Sequence, residues 1–172
     1  MRILLTLVTM CSLIRGSAIA QPPAFRDPLL DCLIGHWVLK GTIAGKETTH
    51  DIAAEWVLGH QYVRLHELSR EKDANGQAAY EAIVFIGWDQ PSGEYACLWL
   101  DSTGGGGISA QAIGHGKRGG DEIPFFFRES DGSVSFKNIF SFDRSANSWA
   151  WLMDNVQNGK TVPFARVKLT RQ

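Results

Sequence analysis

Ser133-Val134-Ser135-Phe136-Lys137-Asn138-Ile139-Phe140-Ser141-Phe142 is the stretch whose reading decides the fold. Val134, Phe136, Phe140 and Phe142 fall on one face of an extended chain, and Ser133, Ser135, Lys137 and Ser141 on the other. Successive side chains of a strand point to opposite faces, so this period of two marks a strand with one buried side. A helix repeats every 3.6 residues and would scatter the phenylalanines around its axis. Residues 148–154 repeat the pattern, with Trp149, Trp151 and Met153 sharing a face.

Working outward, the same alternation predicts strands near 36–43, 48–58, 60–71, 79–89, 94–101, 107–114, 122–128 and 161–170. Between them lie Asp73-Ala74-Asn75-Gly76, Asp89-Gln90-Pro91-Ser92-Gly93, Asp131-Gly132 and Asn158-Gly159, all with the residues of tight turns. No gap has room for a helical crossover, so sequence neighbours must pair antiparallel. A sheet of so many strands does not stay open and flat, and closing it removes the exposed edges. The expectation is an all-β fold: a closed antiparallel up-and-down β-barrel of about ten strands. One short helix precedes it over 27–34, with Asp27 as its cap, Pro28 at its first position and Gly35 at its end.

Residues 1–20 have the form of a signal peptide. Arg2 supplies the positive start, residues 3–10 an apolar core, and Ala18-Ile19-Ala20 the small residues of a cleavage site. That core is too short to span a bilayer, which takes about 20 residues. The expectation is an exported chain, periplasmic or secreted, with residues 21–172 as one barrel domain and no transmembrane segment. With 17 basic and 18 acidic side chains, the sequence carries no electrostatic footprint for nucleic acid. Cys32 and Cys97 admit two readings, a disulfide in an oxidising compartment or two separate buried thiols.

Leu33-Ile34-Gly35-His36-Trp37, followed by Gly41, resembles the Gly-x-Trp opening of lipocalins and other calycins. Glu55-Trp56-Val57-Leu58-Gly59, Ile86-Gly87-Trp88-Asp89 and Trp99-Leu100-Asp101-Ser102 are similar to motifs of a bacterial family of lipocalin-like domains of unknown function. The resemblance implies that Gly35 and Trp37 shape the closed end of the barrel. It also implies that an arginine of the last strand, Arg166, lies across the Trp37 ring as a cation–π contact. Both residues are then structural. A more distant resemblance to nitrobindin-like barrels implies haem as an alternative ligand, although those proteins take their histidine from near the C-terminus and no histidine follows His115.

Gly114-His115-Gly116-Lys117-Arg118-Gly119 matches a dinucleotide fingerprint by letter only, because no helix can begin in the Gly120-Asp121-Glu122-Ile123-Pro124 that follows. It is read instead as a basic hairpin at the barrel rim, and Gly104-Gly105-Gly106-Gly107 as a loop or lid. Among the five histidines, His60 and His66 share a face but stand about 20 Å apart along a strand, far beyond shared ligation. There is no Gly-x-Ser-x-Gly elbow.

The positions that stand out are polar residues in phase with apolar ones. Asn138 is in register with Phe136 and Phe140. Arg64 and His66 share a face with Tyr62 and Leu68, and Asp101 shares one with Tyr95 and Trp99. If these faces point inward, Trp99, Phe136, Phe140 and Trp151 line a pocket in which Arg64, His66, Asp101 and Asn138 orient a small apolar or amphipathic molecule. The alternative is an enzyme with His66 as acid–base and Arg64 stabilising an anion, which requires both to converge with Asp101 on one cavity.

Overall fold

In the computed structural model, which describes residues 24–104 and 107–172, the chain forms a closed barrel of ten antiparallel strands. The expected signal peptide lies outside the described residues, as do Gly105 and Gly106 of the glycine run. The strands are β1 (Gly35–Ile43), β2 (Lys46–Val57), β3 (Tyr62–Ser69), β4 (Glu81–Asp89), β5 (Glu94–Asp101), β6 (Ile113–Gly116), β7 (Glu122–Arg128), β8 (Val134–Asp143), β9 (Ser148–Gln157) and β10 (Lys160–Arg171). Each pairs with its neighbours in sequence, and β10 returns to β1 to close the wall.

The first helix is shorter than expected. It covers Pro28–Asp31, where the Asp27 carboxylate accepts from the amides of Leu29 at 2.6 Å and Leu30 at 3.2 Å. The strand expected at 107–114 is also shorter, because a turn of 3-10 helix occupies Ala110–Ala112 and leaves β6 only four residues.

One end of the barrel is packed solid. Trp37, Leu39, Ile86, Cys97, Phe125 and Trp149 point inward there and are almost wholly buried. The segment 27–34 lies across this end and is tied to it by side chains. The Trp37 indole donates to the Leu33 carbonyl at 2.7 Å, and the Tyr95 hydroxyl donates to Asp27. Arg118 completes the group, its guanidinium 2.9 Å from the same carboxylate. The hairpin read as a basic one at the barrel rim is therefore anchored, through Arg118, at the closed end.

The glycines of the false fingerprint have a packing reason instead. A Cβ on Gly116 would stand 1.7 Å from the Pro124 carbonyl oxygen, and one on Gly114 would stand 2.7 Å from the Phe127 ring. The short β6 can approach β7 and its rings only because these two inward positions have no side chain.

Arg166 does not meet Trp37. The register of β1 against β10 sets Trp37 opposite Arg171 and puts Arg166 opposite Thr42, near the other end. Arg166 pairs with Asp154 instead, while Arg171 lies over the Trp37 ring. Gly35 begins β1 at φ +128°, and a Cβ there would stand 2.4 Å from the Arg171 guanidinium. Cys32 and Cys97 are both free thiols, which decides against the disulfide.

Candidate functional site

The other end of the barrel is hollow. A cavity of about 700 Å³ opens among the β1–β2, β3–β4, β5–β6 and β7–β8 connections. Small residues line this level, Thr48, Ser69, Ala112 and Ser135, and leave the space that indoles and phenyl rings fill below. Aromatic walls remain, from Tyr80, Trp99, Phe127, Phe136 and Phe164. Pockets for small molecules have this size and character, mostly apolar with a few placed polar groups.

The polar groups are concentrated and specific. Thr48 and His50 are two residues apart on β2 and so point to the same side, into the barrel. Glu67 reaches the interior from β3. The His50 ring joins them, with Nε2 2.7 Å from the Thr48 hydroxyl and Nδ1 2.5 Å from Glu67 Oε1. His50 and Glu67 are both buried, so this short bond has little competition from water. Tyr80 stacks on the His50 ring at 5.7 Å, and its hydroxyl accepts from the Trp99 indole at 3.0 Å. Burial and the nearby Glu67 carboxylate push the Tyr80 phenol well above its ordinary range, so it stays protonated.

Among the described residues, three interior groups lack protein partners. Asn138 is fully buried, and neither its amide nitrogen nor its carbonyl oxygen is hydrogen-bonded within the protein. Glu67 keeps Oε2 unpartnered, and the Trp151 indole N–H is likewise unanswered. A buried polar group without a partner costs roughly 1–3 kcal/mol, so such groups are few in folded proteins. Asn138 and Glu67 both line the cavity. They stand on β8 and β3, which lie five strands apart in either direction around the ring, so they face each other from opposite walls.

The residues expected to form the site divide cleanly. Trp99, Asp101, Phe136 and Asn138 line the cavity. Phe140 and Trp151 do not line it; they lie one inward position deeper than Asn138 and Met153, with rings stacked at 4.5 Å. Arg64 and His66 are on the outer face of β3 and are removed from the site. Arg64 pairs there with Glu55, and His66 with Glu81 at 2.6 Å. The inward residues of β3 are Val63, Leu65, Glu67 and Ser69. His66, Arg64 and Asp101 therefore do not converge, and the acid–base assignment to His66 falls.

Thr48, His50, Glu67 and Tyr80 were not singled out from the sequence. A signal for Glu67 was present, because it stands in phase with Val63 and Leu65 just as Asn138 does with Phe136 and Phe140. His50 is similarly in phase with Ile52 and Ala54. Nothing in the sequence pairs His50 with Glu67, seventeen residues away.

Among the described residues, no group of three or more His, Cys, Asp or Glu is placed to hold a metal ion. A histidine that ligates haem iron needs an open imidazole nitrogen. Both nitrogens of His50, which lines the cavity, are engaged by Glu67 and Thr48, so His50 does not present one.

The barrel, its plugged end and the Arg171–Trp37 contact together define a ten-stranded closed barrel with an internal cavity at its other end, an architecture that fits a calycin-like fold. Compared with protein-family models and with curated proteins, the chain matches none.

Proposed function

We propose that this chain is an exported barrel of calycin kinship that binds a small amphipathic molecule in its open-end cavity. The observation that carries the reading is Asn138, fully buried beside a cavity of about 700 Å³ with both amide atoms unanswered. A fold tolerates such a residue when a bound molecule completes its hydrogen bonds, because the unmet group otherwise lowers stability. The aromatic walls supply the apolar contact, and Asn138 fixes the orientation.

Native mass spectrometry of freshly purified protein tests this. A small molecule retained in the gas phase, and lost from Asn138→Leu, is the expected result. Protein that carries nothing and shows no saturable uptake of any apolar probe would end the reading.

A second reading is favoured by one specific arrangement. Hydroxyl, imidazole and carboxylate follow one another from Thr48 through His50 to Glu67, the order used to move a proton. His50 would then act as acid–base on a molecule held in the cavity, with Glu67 holding the ring. A substrate found by screening small esters and amides should lose turnover in His50→Gln at an unchanged melting temperature. Equal turnover by the variant would exclude His50.

A further inference from the structure

The cavity wall is strongly one-sided in charge. It carries Glu47, Glu67, Glu71, Asp101 and Glu129, and against them only Lys46. Among the described residues none of the five carboxylates forms an ion pair with a lysine or arginine, and Glu67 alone has a charged-type partner, His50. Arg70, just outside the mouth, is held by Asp51 through two hydrogen bonds. Even with His50 protonated, acidic groups outnumber basic ones around the cavity.

Acidic side chains at a rim are often no more than a solvated edge. Glu67 is different, being 2% exposed, with Oε2 unpartnered and the residue in the cavity wall. A buried carboxylate oxygen with no donor calls for a hydrogen-bond donor, and a positively charged donor answers it most strongly. It also repels an anion, which would be brought beside a carboxylate in a poorly screened interior. The rings of Tyr80, Trp99 and Phe136 suit a cation as well, since their faces are electron-rich. Across the barrel, Asn138 offers its amide NH2 as donor and its carbonyl oxygen as acceptor to a neutral polar group.

We infer that the cavity selects amphipathic amines: molecules with an ammonium group that Glu67 receives, an apolar body against the aromatic wall, and a neutral hydrogen-bonding group that reaches Asn138. The inference rests on the binding reading above and names its ligand class. Fatty acids and other apolar carboxylates are the class the site rejects.

Isothermal titration calorimetry with decylammonium, decanol and decanoate on the unaltered protein tests it, since the three share one chain and differ in head-group charge. The ammonium should bind at least tenfold more tightly than the alcohol, and the carboxylate more weakly than either. In Glu67→Gln the preference for ammonium over alcohol should shrink severalfold, with the alcohol little changed. Decanoate binding as tightly as decylammonium would overturn the charge selection while leaving the binding reading intact. Failure of all three, and of every other apolar probe tried, to bind would overturn the binding reading itself. The comparison on unaltered protein decides the matter even if Glu67→Gln does not fold.

Discussion

The Arg171 guanidinium lies 4.3 Å from the centre of the Trp37 ring, at the end of the barrel opposite the cavity. The same guanidinium donates to the Ile34 carbonyl at 2.8 Å and to the Cys32 carbonyl at 3.1 Å. One side chain of the last strand thus holds the first strand and the segment that plugs the barrel. Closure of β10 on β1 and closure of the base are coupled through it.

Arg171→Ala should accordingly lower stability by about 2 kcal/mol, combining a partly exposed cation–π contact with two hydrogen bonds from a charged donor. Arg171→Lys keeps the charge but loses the planar fork, and should fall between. Urea unfolding followed by tryptophan fluorescence measures both. A loss below about 0.5 kcal/mol for Arg171→Ala, within the range of ordinary surface changes, would show that the plug is held by burial alone.

Asn138→Leu should separate stability from binding. Leucine is close to asparagine in size and removes two unmet polar atoms, so the ligand-free barrel should be as stable as before or gain roughly 1 kcal/mol. Ligand uptake should fall. A thermal-shift series with and without an apolar probe would show it, and a large loss of stability in the ligand-free variant would mean that Asn138 is structurally satisfied.

Asp27 should give the barrel a dependence on acid. Its burial favours the neutral form, but hydrogen bonds from Tyr95 and from the amides of Leu29 and Leu30, with the Arg118 charge, outweigh it and hold the pKa below the ordinary 3.8. A carboxyl whose folded pKa is depressed contributes stability that is fully present above its unfolded pKa and is lost as pH falls through the folded one. The stability gap between the native chain and Asp27→Asn should stay constant from pH 7 to 5 and narrow below about pH 4. A gap that widened in acid would reverse the assignment.

Gly116→Ala should be among the most damaging single changes, because the added methyl would overlap the Pro124 carbonyl on the neighbouring strand. Overpacking against backbone has no flexible side chain to move aside, so a loss of about 3 kcal/mol is expected. Gly119→Ala, three residues on, meets open space and should change little. Melting temperatures of the pair give the comparison, and equal values would mean that β6 yields easily.

The two thiols should differ in reactivity. Cys97 is fully buried, and burial pushes its thiol far above the ordinary cysteine range, so almost no thiolate forms there. Iodoacetamide at pH 8 should leave Cys97 unlabelled in the folded protein and label it after unfolding. Prompt labelling of Cys97 by peptide mass mapping would show that the closed end opens.

By itself the sequence determined the wall. Alternating apolar residues in segments such as 133–142, joined by turns too short for any crossover, admit an antiparallel sheet that closes on itself. It also marked Phe136 and Asn138, because on β8 one face is plainly the apolar one, whereas on β5 both faces are rich in apolar residues and the sequence left the side of Trp99 and Asp101 open. On β3 that guide failed. Tyr62 and Leu68 flank Arg64 and His66, while Val63 and Leu65 are followed by Glu67, so both faces mix apolar and charged residues. Period two gives two faces and cannot say which is inside; that depends on pairing with β2 and β4, which turns Glu67 toward His50. The exchange of Arg166 for Arg171 has a similar origin, since register between the first and last strands is set by closure of the whole ring. Tertiary structure alone decided where the barrel is solid and where hollow, and hence the acidic character of its cavity.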